Sequence, residues 1–169
     1  MANQLITSKN TSINSTQLPR IFGYLVDSGI DLFGMTILDI GAGKFNNAVD
    51  WVDDLGGLLV PYDPYNRTPE ENDRAMSMLG TYDMVICSNV LNVVKEQVDR
   101  DAIIGMAHRA LTYDGVAYFT MYTGKNDCVG RMTGVDQWQE NRPVATYLQE
   151  IKFFFDSCKI HKNVVIARK

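Results

Sequence analysis

Two glycines and two carboxylic acids stand where apolar segments of the sequence end. Gly41 and Gly43 directly follow the apolar run 35–40 (MTILDI) and precede a helical pattern. Glycine lets a backbone turn sharply and approach a ligand, and the free N–H groups of a following helix attract a carboxylate or a phosphate. Asp63 ends the next apolar run, 24 positions after Asp39, where a carboxylate can accept two hydrogen bonds from a ribose diol. The spacing indicates a site for a nucleoside or for an amino-acid carboxylate.

The same residues also have plainer explanations. A tight strand-to-helix turn needs glycine without any ligand, and Asp63 followed by Pro64 is a common turn sequence. Because the glycine turn and the second acid occur in order, each after a predicted strand, we favour ligand binding.

The elements that position these residues alternate between strand and helix. Continuous apolar runs predict strands, and apolar residues at 3.6-residue spacing predict helices. The predicted strands cover residues 35–40, 58–62, 82–87 and 116–122, and a hairpin joins 157–160 to 164–167. The predicted helices cover residues 18–26 (behind Ser15 and Thr16 as caps), 45–55, 68–78, 98–111 and 142–155. We therefore predict one α/β domain over residues 1–169, with a polar segment at 1–14 and a long, lid-like loop at 123–141.

The charge balance and the hydropathy pattern exclude some classes of function. The chain of 169 residues has 20 acidic and 16 basic residues, and its net charge of -4 is unsuited to a broad polyphosphate surface, although a local basic patch can still occur. The sequence has neither the apolar block of a secretion signal near its start nor an apolar run of about 18 residues. We expect a cytoplasmic protein that does not enter a membrane.

The cysteines and histidines do not form a metal-binding pattern. Cys87, Cys128 and Cys158 lack the CxxC spacing of zinc and redox sites, and the only two histidines, His108 and His161, fall in different predicted elements. We therefore expect reduced thiols and no metal site.

Three segments, in chain order, resemble the class I methyltransferases that use S-adenosylmethionine (SAM), a Rossmann-like family. They are LDIGAG at 38–43, Asp63 after the second predicted strand, and YDMVICSNVLNVV at 82–94. The resemblance covers residues 15–122 and implies a three-layer sandwich, SAM as cofactor, and methyl transfer to an acceptor that the sequence leaves unidentified. The cofactor-binding positions that it implies are Asp39, Gly41, Ala42, Gly43, Asp63, Pro64, Ser88, Asn89 and Val90. A narrower likeness, through residues 62–72, 87–94 and 117–122, is to short methyltransferase-like proteins of bacteriophages and bacteria.

The sequence departs from this family between its second and third predicted strands. Only 20 positions separate Asp63 from Asp83, which is enough for one helix of about three turns but not for the helix, strand and helix usual there. We expect the usual third strand to be missing and the adenine to be held by Tyr65, by the N-terminal segment or by another subunit. Strand 58–62 then becomes an apolar edge, so we predict that residues 1–14 cover it or that a homodimer forms through it.

Methyl transfer from a sulfonium depends mainly on the alignment of the reacting atoms, and a general base is optional. The catalytic candidates are Asn89 and Tyr122, which are weak bases, and this slightly favours a nitrogen acceptor. Substrate or lid candidates combine a stacking surface with amide and guanidinium donors. They are Asn92, Trp138, Asn141 and Arg142. An anchoring tryptophan with a polar rim is an equally good explanation of the last three.

Four other functions fit parts of the sequence. A nicotinamide dehydrogenase uses a similar turn, but Asn46 stands at the third-glycine position of GxGxxG. Asp63, Pro64 and Tyr65 resemble the DPPY signature of amino-methylating DNA enzymes, with one proline missing. A SAM-binding protein without transferase activity would account for the missing strand and for the lack of an evident base. Nucleic-acid methylation is supported by cations near the C-terminus: Lys152, Lys159, Lys162, Arg168 and Lys169.

Overall fold

A computed structural model describes residues 15–135 and 137–169 of the chain. Helices and strands alternate along most of it, as the sequence predicts. The helices are α1 (Arg20–Asp27), α2 (Asn47–Asp54), α3 (Pro69–Ser77), α4 (Gln97–Ala110) and α5 (Val144–Ile151). The strands are β1 (Thr36–Ile40), β2 (Leu58–Tyr62), β3 (Tyr82–Ser88), β4 (Leu111–Thr120), β5 (Gly130–Gly134), β6 (Gln137–Glu140), β7 (Ser157–His161) and β8 (Val164–Arg168).

Six strands form one sheet in the order β2-β1-β3-β4-β8-β7. Strands β1 to β4 are parallel, whereas β8 runs antiparallel to β4 and forms the predicted closing hairpin with β7. Strand β2 forms one edge of this sheet, and in the described part of the chain no further strand pairs with it. This confirms the expectation that the third strand of the family is missing. The chain reverses its direction across the sheet between β1 and β3, where open α/β sheets bind ligands.

Helices cover both faces of the sheet and complete a three-layer sandwich. On one face, Phe22 of α1 and Val52 of α2 pack against Ile37 of β1. On the other face, Ala75 of α3, Ile104 of α4 and other buried residues pack against the opposite side of the same strands. Parallel strands buried on both faces have the continuous apolar sequences on which the strand predictions were based.

Proline explains two helix boundaries that differ from the predicted ones. Helix α1 begins at Arg20, after Pro19, and not behind Ser15 and Thr16. Helix α5 begins at Val144, after Pro143, and therefore does not include Arg142. The proline ring disfavours helical conformation in the residue that precedes it, so each helix starts beyond its proline.

The long connection 123–141 is not free of secondary structure, because β5 and β6 pair in it as an antiparallel ribbon. Most residues of β5 are exposed, so no alternation of apolar and polar residues marks the strand in the sequence. Strand β4 also begins five residues earlier than predicted, and its pairing with β3 shifts register between Tyr82 and Met84. Such irregular pairing leaves no period-2 pattern at the start of the strand.

Pro61 leaves the outer edge of β2 with one hydrogen-bond donor fewer. The N–H of Leu58 and the carbonyl of Tyr62 bond toward β1, so the peptide groups of the odd-numbered residues of β2 face outward. Pro61 is one of these residues and has no N–H, so the outer edge lacks a donor near its centre. The homodimer through residues 58–62 stays a prediction, and the predicted cover by residues 1–14 concerns residues outside the described part of the chain.

None of the helices in the described ranges is both long and apolar enough to cross a membrane. The same ranges contain no group of three or more His, Cys, Asp or Glu side chains placed to hold a metal ion.

Candidate functional site

The glycine turn lies at the carboxyl end of β1 and packs closely on its surroundings. Gly41 (φ +77°) and Gly43 (φ +67°) adopt left-handed conformations that other residues rarely tolerate. The N–H groups of Gly41 and Ala42 donate to the carbonyl oxygen of Tyr62 over 2.8 and 3.2 Å. A Cβ at Gly41 would lie 2.4 Å from Cγ2 of Val90, so the first glycine is needed for close approach as well as for its turn.

Asp63 lies beside this turn, as the spacing predicts, and its carboxylate is buried. Oδ1 accepts hydrogen bonds from the backbone N–H groups of Tyr65 (2.9 Å) and Asn66 (3.1 Å). Oδ2 accepts one from the N–H of Gly43 (3.0 Å) and one from Nδ2 of Asn66 (3.2 Å). Because a carboxylate oxygen has two lone pairs, all four are used. The Asn66 amide is the one side-chain donor of the four, so it is the group that must move before Asp63 can bind another hydroxyl.

Asp39 forms the floor of the site, with a side chain that is only 4% exposed. Burial raises the pKa of Asp39 to about 7, although the Arg67 guanidinium acts to lower this pKa and the Asp63 carboxylate adds to the rise. At neutral pH this acid is therefore divided between its protonated and ionised forms.

Arg67 is the site residue that the sequence analysis missed. Its Nε donates to the carbonyl of Gly43 (2.7 Å), its Nη2 donates to the carbonyl of Phe45 (2.6 Å), and its Nη1 donates to the side-chain oxygen of Asn46. The side chain is 4% exposed and also contacts Glu71 on α3 at 3.3 Å. No motif marks this arginine; the one available signal was its position between the Asp-Pro turn and the start of α3.

The ends of β3 and β4 bring the predicted site residues Ser88 and Asn89 close to Thr120. Ser88 and Thr120 share a hydrogen bond of 2.9 Å between their hydroxyls. Asn89 is exposed, has a φ of 58° and donates its N–H to the Thr120 carbonyl (2.8 Å). Asparagine tolerates this left-handed conformation better than most residues, so the loop turns sharply over the sheet edge.

Two further candidates follow the same strand ends. Asn92 lies in a 3₁₀ turn, Leu91–Val93, is 2% exposed, and accepts a hydrogen bond from the N–H of Tyr122 over 3.4 Å. The Tyr122 side chain is 56% exposed. Asn92 therefore contributes to holding the loop, and Tyr122 presents its ring to solvent at the sheet edge.

The β5–β6 ribbon packs against the 3₁₀ turn through β6. The ammonium of Lys95 lies 5.3 Å from the centroid of the Trp138 ring, and the ring nitrogen of Trp138 is buried without a hydrogen-bond partner in the described part of the chain. Asn141 is buried and accepts a hydrogen bond from Gln139 over 2.8 Å. Trp138 thus faces the loop after β3 and anchors the ribbon there, and its role as a substrate or lid residue stays a prediction.

Arg142 belongs to a cluster of ion pairs beneath the ribbon. Its Nη1 donates to Glu150 (2.9 Å), its Nε is 3.1 Å from a carboxylate oxygen of Glu140, and its guanidinium stacks over Tyr147 at 4.2 Å. Arg100 of α4 adds two bonds of 2.8 and 3.0 Å to Glu150. Burial by itself would raise the pKa of Glu150, but the hydrogen bonds from the two arginines lower it. Arg142 therefore ties the ribbon to α4 and α5, and its Nη1 is committed to Glu150.

The residues present fit a nucleoside with a charged sulfur in most respects. The Asp39 carboxyl can accept hydrogen bonds, and the space beside Gly43 where a side chain would stand is open. Asp63 fits a ribose diol only once Asn66 releases it. The two acids and the glycine turn therefore form a site that can accept hydrogen bonds from a ligand and let it approach the backbone.

Solved structures with a similar fold include several methyltransferases. A Burkholderia thailandensis 1,6-didemethyltoxoflavin-N1-methyltransferase, bound to 1,6-didemethyltoxoflavin and S-adenosylhomocysteine, matches 86% of this chain and 74% of its own at 14% identity and a TM-score of 0.64. A SAM-dependent methyltransferase from Mesorhizobium loti matches 88% of this chain and 97% of its own at 14% identity and a TM-score of 0.61. A mitomycin 7-O-methyltransferase matches 80% of this chain and 49% of its own at 14% identity and a TM-score of 0.54.

No protein-family model matches the sequence, and no curated protein matches it significantly. The similarity to the solved structures lies in the arrangement of strands and helices, since no more than about one residue in six is identical. The chain thus has the fold of the SAM-dependent methyltransferases, with the third strand of that fold left out.

Proposed function

We propose that the chain is a SAM-dependent methyltransferase that transfers a methyl group to a nitrogen acceptor. The observation that carries the proposal is the hydrogen bond between the Gly43 N–H and the Asp63 carboxylate. It joins the two predicted cofactor motifs at the carboxyl edge of the sheet, where the strand order reverses. The methyltransferase fold of the chain and the SAM-like ligands of its structural neighbours support SAM as the cofactor.

The carboxyl edge of the sheet supplies the residues that would hold SAM. Gly41, Ala42 and Gly43 would lie against the cofactor, and Asp63 would accept its ribose hydroxyls once the Asn66 amide has turned away. When bound, SAM supplies a methyl group on a positively charged sulfur. Tyr65, 42% exposed and two residues after Asp63, is the aromatic surface available to the adenine in the absence of a third strand.

A nitrogen acceptor fits the polar groups near the ends of β3 and β4. Asn89 and Tyr122, which are exposed, can orient an acceptor by hydrogen bonds, whereas Asn92 is buried and holds the loop. Neither an amide nor a phenol readily removes a proton at neutral pH. An amine in its neutral form needs no base before it attacks, whereas a hydroxyl commonly does. The rate of methyl transfer would then depend on how well these side chains align the acceptor nitrogen with the methyl carbon.

The same lack of a base supports a second proposal, a SAM-binding protein without transferase activity. Asn89 and Tyr122 at the sheet edge have no carboxylate or histidine hydrogen-bonded to them in the described part of the chain. Retained SAM affinity without transfer to amine or hydroxyl acceptors would favour this second function.

A nucleic acid is an alternative acceptor, supported by a local basic surface. A cavity of about 350 Å³ lies between α1 and the β7–β8 hairpin, and Lys159, Lys162 and Arg168 line it together with Tyr24 and Tyr118. Cations next to aromatic rings suit single-stranded nucleic acid.

We also propose a cytoplasmic location for the protein. The three free cysteines in the described part of the chain are compatible with it.

Titration calorimetry with SAM and with S-adenosylhomocysteine tests the cofactor directly. We expect both to bind the wild-type chain, and Asp63→Ala to weaken both at least tenfold. Asp53→Ala, at an exposed position at the end of α2, is the matched control and should bind like wild type. If neither ligand binds the folded wild-type protein, the proposed function is wrong. Methyl transfer from labelled SAM to matched amine and alcohol acceptors then tests the preference for nitrogen.

A further inference from the structure

The guanidinium of Arg67 connects the loop after β2 to the loop after β1. It reaches across from the segment that follows Asp63 and bonds the Gly43 and Phe45 carbonyls and the Asn46 side chain. Gly43 is thus held from both sides, because its N–H donates to Asp63 and its carbonyl accepts from Arg67. Four consecutive residues of the glycine loop, 43–46, depend on one side chain for their position.

The buried position of Arg67 makes these contacts strong. With only 4% of the side chain exposed, water cannot easily replace the loop carbonyls as hydrogen-bond acceptors. The planar guanidinium has five N–H donors in a fixed fork, and here the fork is shared among the two carbonyls, the Asn46 oxygen and Glu71. A lysine at this position could carry the charge, but it could not contact the same acceptors at once.

Arg67 also acts on the site through its charge. This charge acts to lower the pKa of Asp39, which burial and Asp63 raise. Glu71 accepts a hydrogen bond from the same guanidinium. Removing Arg67 would therefore favour the protonated form of Asp39.

We propose that Arg67 is a positioning residue for the nucleoside site: it holds residues 43–46 in their binding conformation before any ligand arrives. The identity of the nucleoside rests on the proposed function, but the holding of the loop does not. The proposal gives the segment 63–67 a role that compensates for the missing strand, since this segment supports the glycine loop directly.

The test compares Arg67→Lys with Arg74→Lys, an arginine on α3 that is exposed. We expect Arg67→Lys to bind S-adenosylhomocysteine at least tenfold more weakly than wild type, and Arg74→Lys to stay within twofold. Amide hydrogen exchange in the ligand-free proteins should rise at least tenfold in Arg67→Lys at Gly43, whose N–H is protected by its bond to Asp63, with strands β3 and β4 unchanged. A folded Arg67→Lys that keeps wild-type exchange at Gly43, or wild-type affinity, overturns the proposal.

Two further arms separate the ways in which the test can fail. If Arg67→Lys does not fold, Asn46→Ala removes one acceptor of the guanidinium and should raise exchange at Gly43 about threefold; unchanged exchange there overturns the proposal. If the wild-type chain binds no S-adenosylhomocysteine, the proposed function fails, while the exchange comparison still decides whether Arg67 holds the loop.

Discussion

The backbone N–H of Gly43 donates a 3.0 Å hydrogen bond to the carboxylate of Asp63, twenty residues further along the chain. This bond connects the turn after β1 with the turn after β2 across the carboxyl edge of the sheet. Asp63 therefore has a structural role before it has any role with a ligand. Its substitution should change stability as well as binding, and the two effects must be measured separately.

Asp63→Ala should lower the free energy of unfolding by about 2–4 kcal/mol, because three backbone N–H groups and the Asn66 amide lose their acceptor. Asp63→Asn keeps the shape and one oxygen, so its loss should be smaller. Urea unfolding at pH 7 measures both, with Asp53→Ala as the exposed control. Equal stability of Asp63→Ala and wild type would mean that these bonds contribute nothing in solution.

Asp39→Asn should change how stability depends on pH. The folded pKa of Asp39, about 7, lies above its ordinary value of 3.8, so between these pH values the folded state keeps a proton that the unfolded state has lost. The contribution of Asp39 to the free energy of unfolding therefore falls as pH rises from about 4 to 7 and is constant above that range. Asparagine removes this loss, so between pH 4 and pH 8 the variant should gain up to about 4 kcal/mol relative to wild type.

Unfolding of wild type and Asp39→Asn in urea at pH 4 and pH 8 checks this difference. Other groups titrate equally in both proteins, so the change in the gap between them reports on Asp39. A gap that stays the same at both pH values would show that folding leaves the pKa of Asp39 unchanged.

The parts of the fold that were predictable are those in which one physical cause dominates the local sequence. Strands β1 and β3 are buried on both faces, so their sequences are continuously apolar. Helix α3 begins where the sequence predicts, and the Thr68 side chain caps it by accepting a hydrogen bond from the N–H of Glu71. Strand β5 is exposed and contains two glycines, and nothing in its composition distinguishes it from a loop.

In the site, the backbone geometry was predictable and the side-chain partners were not. Gly41, Gly43 and Asp63 could be placed because φ angles and strand ends constrain the residue types that occur there. The partners of Arg67 and Arg142 depend on which loops meet in space, and no spacing along the chain encodes that. The competing bond from Asn66 to Asp63 escaped prediction for the same reason.

The outer edge of β2 limits how two copies of the chain can pair. If the proposed homodimer forms there, Pro61 interrupts the hydrogen-bond ladder, and the apolar side chains must supply much of the contact. Leu58, 39% exposed, is the edge residue to change. Leu58→Lys should dissociate the dimer, and Pro61→Val should strengthen it by supplying the missing N–H. Sedimentation equilibrium measures both; a wild-type monomer at all concentrations contradicts the dimer.

The basic cavity beside α1 gives a test of the nucleic-acid alternative. If single-stranded DNA or RNA binds there, the double variant Lys159→Glu with Lys162→Glu should weaken binding at least tenfold and flatten its salt dependence by about 1 to 2 in the log–log slope. Lys125→Glu, an exposed change of the same charge in the long loop, is the control. Fluorescence anisotropy at several salt concentrations measures the slope, and an unchanged slope contradicts this surface as the binding site.

Gly41→Ala should destabilise the chain by about 2–4 kcal/mol, because the added Cβ meets Cγ2 of Val90 at 2.4 Å and the φ of +77° strains any side chain. Val90→Ala should relieve the contact but not the strain, so the double variant should be more stable than the sum of the two single changes predicts. Gly23→Ala, in α1 with open space around it, should instead gain about 0.5–1 kcal/mol. Chemical unfolding of wild type, Gly41→Ala, Val90→Ala and the double variant completes the cycle. Strict additivity between Gly41 and Val90 would show that the two residues do not touch in solution, and the close packing of the turn on the β3 loop would then be wrong.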